Sequence, residues 1–494
     1  MSNLAVEIEM KDPVARFMEN VRLIPDHPAV VQESGTISYG EMGALTARMA
    51  ASIANISEHP RAIIYLPKGA QAYSAMFATM MAGGYYSPVN MEAPLSRHIE
   101  IINQFRPHVI VSQKNLLQAL PASSLECQLL DIDNLSSSAL NEPLAGHELA
   151  YVIFTSGTTG QPKGVMISRE ALAHYTGWAL SAMDVSSGDR WSQHPNIAFD
   201  LSVLDIYGAL TGGATLYPLT TKKDRLLPAA FIKRNQLTIW NSVPSVIDLM
   251  MRARHVTKEN FDSLRLLTFC GEPLYEKHLE AIFFANDRVR VHNTYGPTEA
   301  TVSCTLVCLK AGNYINYCNG SVALGAPIAG MGFVLMGGNS EEGELGIFGK
   351  QLGTGYWKNE DATSKAFTSM KVEGEDRRVY RTGDWVVKKG DQLYFAGRID
   401  SQVKILGNRV ELDEIDVAVH RLGYGNACTV FMDKKLHCFI ETKRLPDIAQ
   451  FKERMATILP DYMIPNTLHA ISSLPVNNND KIDRRQLSGL VNGQ

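Results

Sequence analysis

The sequence has no apolar run near the ~20 residues needed to cross a bilayer, which argues against membrane insertion. Its start, MSNLAVEIEMKDPVARF, scatters acidic residues among apolar ones and does not read as a secretory signal. No strong charge of either sign is present. A formal net charge of -4 gives no general attraction to nucleic acid or to an anionic membrane surface. Cysteine is sparse: seven, an odd number, with no CxxC pair, so neither a disulfide framework nor a zinc site is indicated. Cys304 and Cys308 share strand-like spacing, yet two thiols without further partners make a poor metal site. There is no internal repeat and no low-complexity tract. These absences leave a soluble, cytoplasmic protein with reduced thiols as the expectation.

What is present is a chain of 494 residues, 45% hydrophobic and 20% charged, too long for one ordinary core. Short apolar runs at 62–66 (AIIYL), 108–111 (HVIV), 149–154 (LAYVIF), 264–269 (LRLLTF) and 343–348 (GELGIF) read as buried strands. Segments with helical spacing, such as 39–53, lie between them. This alternation predicts an α/β fold with mainly parallel sheets. The tail reads as a small α+β unit: a helix at 410–422, strands at 428–432 and 436–441, a helix at 448–459, and a polar end, VNNNDKIDRRQL. The boundary is placed at 397–401, giving a large domain at 1–396 and a small one at 401–494.

The most informative segment is YVIFTSGTTGQPKGV (151–165). An apolar strand runs into a loop of hydroxyls and glycines closed by a lysine. Glycines let backbone amides approach an anion, hydroxyls donate to its oxygens, and lysine adds charge. A Walker A loop needs Gly-Lys-Ser/Thr at a helix mouth. Here Pro162 precedes Lys163 and Gly164 follows it, so that reading fails. A plain Gly/Thr turn is the competing explanation for any one such loop.

The stretch resembles the phosphate loop of the adenylate-forming superfamily: acyl-CoA synthetases, firefly luciferases and nonribosomal peptide synthetase adenylation domains. The resemblance continues in order through MMAGGYYSPVN (80–90), FDLSVLDIYGAL (199–210), NTYGPTEATV (293–302), GELGIFGKQLGTGYW (343–357), YRTGD (380–384) and GRIDSQVKILGNRVELDEI (397–415). It ends at Lys481. It implies a large adenylation domain and a small mobile lid joined by a hinge at 397–400, with Asp400 as the hinge residue.

It further implies ATP and Mg²⁺. Thr155, Ser156, Gly157, Thr158, Thr159 and Lys163 would hold phosphates. Asn293, Thr294, Tyr295, Gly296, Pro297 and Thr298 would line the nucleotide site, with Tyr295 stacking on adenine. Glu299 would bind Mg²⁺, Asp384 the ribose hydroxyls and Arg398 a phosphate. Lys481 would be the catalytic lysine, bridging the substrate carboxylate and the α-phosphate. Each assignment has a plainer rival: Thr298 as a helix cap, Lys481 as one more solvated lysine. Where many members have Asn-Gly-Lys, this chain has Asn479-Asp480-Lys481.

In amino-acid-activating members an aspartate at the place of Asp200 pairs with the α-ammonium. Its rival role is a helix cap. The remaining specificity positions carry over as Leu201, Leu204, Asn241, Thr268, Cys270, Thr294, Val302, Ser303 and Lys481. Small and medium residues without a charged partner imply a small amino acid. FDLSVLDIY, FCGEPL, NTYGPTEATV and GRIDSQVKILGNRVEL resemble ligases that load D-alanine onto a carrier protein for teichoic acid modification. WNSVPSV (240–246) looks more like peptide synthetase domains selecting cysteine, threonine or proline. D-Alanine leads; L-alanine, glycine, serine, cysteine, threonine and proline remain open. The one Gly-Gly-x-Ser stretch, GGNS at 337–340, is not read as a carrier-like segment, so a separate carrier protein, or coenzyme A, is the expected acceptor. The alternatives are an acyl-CoA synthetase for a non-amino acid, against which Asp200 argues, and a non-catalytic nucleotide-binding paralogue.

Overall fold

The computed structural model describes residues 10–121, 125–157, 160–476 and 482–492. Thr158, Thr159 and Lys481 lie outside them. The chain groups into two compact units. One comprises the described parts of Met1–Val89, Phe105–Ile153 and Gly164–Ile399; the other, those of Asn90–Gln104, Phe154–Lys163 and Asp400–Gln494.

Two large sheets dominate the first unit. The seven-stranded sheet runs in the order Gly355–Tyr356, Lys163–Ser168, Leu149–Thr155, Tyr85–Pro88, Arg61–Ile64, Val109–Ser112 and Gln128–Asp131. The nine-stranded sheet has a parallel centre of Arg290–Asn293, Leu266–Phe269, Ile239–Ser242, Arg190–Gln193, Thr215–Pro218 and Pro28–Gln32. Strands covered on both faces have little need of polar alternation, which is why Arg61–Ile64, Val109–Ser112 and Leu149–Thr155 are mostly apolar; others, such as Arg190–Gln193 and Arg290–Asn293, carry polar residues. Helix Tyr39–Ala54 starts at a capping box between Ser38 and Glu41. Helix Leu201–Thr211 buries every one of its residues and is apolar nearly all round.

On strand Ile239–Ser242 the side chains alternate. Ile239 joins the core that contains Leu201 and Leu204, while Trp240 joins the core on the opposite face. Leu266 and Leu267 divide in the same way. By period two, Asn241 and Thr268 therefore face the side of helix Leu201–Thr211.

The run 343–348 was expected with the parallel strands. It forms strand Glu342–Gly349, which pairs antiparallel with Met331–Met336 and with Glu375–Lys389. The reason is local: the Asn339 side chain accepts hydrogen bonds from the Glu341 and Glu342 amides at 2.8 and 3.0 Å, closing a tight turn where a parallel neighbour needs a crossover. Phe367–Val372 and Gln392–Arg398 complete this sheet.

In the second unit, hairpin Gln402–Ile405/Asn408–Glu411 turns through Leu406 and Gly407, both at positive φ (50° and 78°). Helix Leu412–Arg421 follows, so 410–411, expected in the helix, belong to a strand. Strands Ala427–Met432 and Lys435–Glu441 pair antiparallel, and Thr467–Ile471 adds in parallel. The polar end holds a helix the sequence reading lacked, Arg484–Asn492. Asp483 caps it, accepting from the Arg485 and Gln486 amides at 3.0 and 3.1 Å, and Leu487 is fully buried. No described helix is long and apolar enough to cross a membrane.

Candidate active site

The glycine-rich loop leaves strand Leu149–Thr155 and returns as strand Lys163–Ser168, so Lys163 opens a strand and not a helix. A Cβ on Gly157 would lie 2.0 Å from the Gln161 carbonyl oxygen, which makes glycine obligatory there. The Ser156 hydroxyl donates to the Arg409 carbonyl at 2.8 Å and accepts from the Glu411 amide at 3.2 Å. Thr155 Oγ1 makes a long 3.4 Å bond to the Lys163 carbonyl.

Within the first unit, Tyr295, Asp384 and Arg398 come together. Glu344 pairs with Trp385 and Gly346 with Arg381, so 382–384 bulge out of the ladder. The Glu344 carboxylate holds the bulge, accepting from Arg381 at 2.6 Å and from the Gly383 amide at 3.1 Å. Asp384 lies directly across from Arg398 in the next strand pair, and the two form an ion pair at 2.5 Å. The Tyr295 hydroxyl donates to the other Asp384 oxygen at 2.5 Å, fixing the ring. Burial first, and then the Asp384 charge, push the Tyr295 phenol well above its ordinary range, so it stays a donor. A carboxylate has about four lone-pair sites, so these two contacts leave Asp384 with capacity for the vicinal hydroxyls of a ribose.

The rest of NTYGPTE is tightly fixed. Asn293 Nδ2 donates to the Ala323 carbonyl at 2.8 Å, and Thr294 Oγ1 to that of Phe269 at 3.0 Å. Thr298 does not cap; the cap position of the 3₁₀ turn Thr298–Ala300 is Pro297. A Cβ on Gly296 would meet the Ser303 Cα at 2.5 Å. Gly296→Ala is therefore expected to cost about 1–3 kcal/mol in urea unfolding; an unchanged midpoint would show that the 302–304 backbone yields. Glu299 is fully buried and accepts from the Tyr356 hydroxyl at 2.7 Å. Its carboxylate could hold a hard divalent ion.

Of the specificity positions, Leu201 and Leu204 lie on helix Leu201–Thr211, Asn241 and Thr268 face its side, and Lys481 lies outside the described residues. Asp200 precedes it and makes no capping hydrogen bond with its side chain, so the capping role fails. Burial first, with smaller contributions from Cys270 and then Asp200, pushes the Tyr175 phenol well above its ordinary range, and Tyr175 touches Ser303 Oγ at 3.3 Å. Cys270 Sγ contacts the Val302 carbonyl at 3.7 Å. Thr301 and Val302 both sit at positive φ (53° and 71°), a costly conformation for β-branched residues and one that gathers at functional sites. Asn241 Nδ2 lies 3.4 Å from the Leu201 carbonyl. Thr268 pairs with Asn241 in the sheet, and Leu204 is buried beneath.

Sequence reasoning missed Asp205, a fully buried acid that accepts from Trp191 Nε1 at 3.1 Å and from Asn241 Nδ2 at 2.7 Å. The signal was there: one acid inside an otherwise apolar helix, five residues after Asp200. Tyr356 and Glu344, which position Glu299 and the Asp384 bulge, carried no comparable signal.

Residues 17–357 match the family described as AMP-binding enzyme. The chain belongs to that family. This AMP-binding enzyme is 31% identical over 500 residues to Zwittermicin A synthase ZmaJ of Bacillus cereus, covering 96% of this chain and 94% of the relative. It is 30% identical over 488 residues to a D-alanine--D-alanyl carrier protein ligase of Bacillus licheniformis, with 94% and 96% covered. Among solved structures it is similar to the Vibrio cholerae adenylation domain AlmE in complex with glycyl-adenosine-5'-phosphate, at a TM-score of 0.83 and 27% identity, covering 100% of this chain and 99% of that one. The expected superfamily and the mainly parallel α/β fold are thus established, as is membership of a family of enzymes.

Proposed function

We propose that this AMP-binding enzyme uses ATP to convert the carboxylate of a small amino acid into an aminoacyl adenylate, releasing pyrophosphate. It then passes the acyl group to the phosphopantetheine thiol of a separate carrier protein. The observation that carries the reading is the place of Asp200, at the start of the buried helix Leu201–Thr211, where an α-ammonium is a fitting counter-ion. The relatives named for D-alanine and carrier protein, and the neighbour holding glycyl adenylate, point to the same class.

In this reading Tyr295 stacks on adenine, Asp384 takes the ribose hydroxyls, and Arg398 moves from Asp384 to a phosphate. Residues 155–159 and Lys163 hold phosphates, and Lys481 bridges the reacting carboxylate and α-phosphate. A Mg²⁺ held by Glu299 would neutralise phosphate charge. Residues 397–400 act as the hinge between 1–396 and 401–494, so that one small domain serves both half-reactions.

ATP–pyrophosphate exchange across all amino acids of both configurations tests the reading. Exchange with one or a few small amino acids is expected, followed by loading of a holo-carrier protein. Exchange with fatty or aryl acids alone would make this an acyl-CoA synthetase; none with any acid would make it a non-catalytic binder.

A further inference from the structure

Three buried polar residues lie side by side on one face of the nine-stranded sheet: Asn241, Thr268 and His292, paired strand to strand. They are 0%, 0% and 1% exposed. Among the described residues, Asn241 Oδ1, Thr268 Oγ1 and His292 Nδ1 all lack a hydrogen-bond partner. A buried polar atom without a hydrogen bond is costly, and Asn241 Oδ1 and Thr268 Oγ1 stand on neighbouring paired strands.

The orientation of the Asn241 carboxamide is not arbitrary. Asp205 Oδ1 faces one end of it at 2.7 Å and the Leu201 carbonyl oxygen at 3.4 Å. That Asp205 oxygen already accepts from Trp191 Nε1, an atom that can only donate. The Leu201 carbonyl can only accept, and with Asp205 Oδ1 accepting from Trp191 the amide nitrogen fits that end. Asn241 Oδ1 is therefore turned away from Asp205 as an unused acceptor, next in the sheet to an unused hydroxyl on Thr268. Leu201, which receives the amide nitrogen, is the residue after Asp200.

We propose that the substrate's side chain carries a hydroxyl that donates to Asn241 Oδ1 and accepts from Thr268 Oγ1, and that Asp205 is the positioning residue that keeps Asn241 in this orientation. The substrate class becomes a small hydroxy amino acid, of the serine or threonine type, ahead of alanine. This rests on the amino-acid-activating reading above and narrows it. A site built to pair a hydroxyl rejects the isosteric methyl compound strongly, because its own polar atoms are then buried unpaired.

The test compares kcat/KM for pyrophosphate exchange within isosteric pairs, serine against 2-aminobutyrate and threonine against valine, in both configurations, using the full-length protein. The hydroxyl member of the better pair is expected to lead by about 10²-fold or more. Asn241→Leu, or Thr268→Val should the former not fold, should shrink that ratio to within about tenfold while the ATP Kd stays put. Asp205→Asn still offers an oxygen to Trp191 and Asn241 and should keep the preference; Asp205→Leu should lose it at unchanged ATP affinity. Equal or better rates with the methyl compounds or with alanine in the unmodified enzyme overturn the inference and leave the proposed reaction standing. Exchange with no amino acid at all takes down both.

Discussion

Lys481→Ala is expected to cut ATP–pyrophosphate exchange by about 10²–10³-fold while the ATP Kd moves little. Adenylation brings a carboxylate and a triphosphate together, two anions that repel, and then expels a third. A lysine touching both partners offsets that repulsion where it is greatest, at the transition state, so its removal acts on the rate and not on ground-state nucleotide binding. In the proposed site, ATP affinity comes from elsewhere: the Tyr295 ring, fixed through its hydroxyl to Asp384, and the carboxylate of Asp384 itself. Exchange kinetics with calorimetric ATP binding separate the two effects. Near-normal exchange in the folded variant would show that Lys481 is one more solvated lysine.

Asp200→Ala is expected to lower kcat/KM for the amino acid by about 10²–10⁴-fold, chiefly through KM, with ATP affinity nearly unchanged. Breaking a desolvated pair by removing one partner costs about 3–5 kcal/mol, because the remaining charge is left without compensation. The carboxylate stands at the positive end of the 11-residue helix Leu201–Thr211. As Asp200 does not cap that helix, its loss should leave the melting temperature within a few degrees of the parent. Asp200→Asn, which keeps shape but removes charge, should behave like alanine. Unchanged kcat/KM in either variant would make Asp200 structural and remove the main support for an amino acid substrate.

Four parallel strands were legible because burial on both faces leaves almost uninterrupted apolar runs, as at 62–66 and 108–111; strands such as Arg190–Gln193 and Arg290–Asn293, with polar residues among their four, were not. The antiparallel sheet was less so. Strand Glu375–Lys389 begins with four exposed residues and carries a bulge, so no period survives along it. The helix Arg484–Asn492 hid for a related reason, since it buries little beyond Leu487 in a strongly polar segment. Motif order pointed to Tyr295, Asp384 and Arg398. That Asp384 and Arg398 pair could not be read from spacing, because it depends on the register of two strands and a bulge between them. Asp205 shows the opposite limit. Its burial could be guessed from the helix around it, but its bonds to Trp191 and Asn241 join a helix and two strands, and no local pattern encodes that.

The nine-stranded sheet also bears on how this protein is made. Its early hairpin, Pro28–Gln32 with Gly35–Ser38, can close as soon as it leaves the ribosome. The other edge of Pro28–Gln32 pairs in parallel with Thr215–Pro218, Val30 beside Leu216. At ordinary synthesis speeds that partner emerges on the order of ten to forty seconds later. Through that interval the nascent chain carries an apolar strand, PAVVQ, with an open edge, the kind of template on which strands of other chains add. Chaperone cover of the first two hundred residues, or slower synthesis at lower temperature, should therefore decide the soluble yield more than the stability of the finished enzyme does.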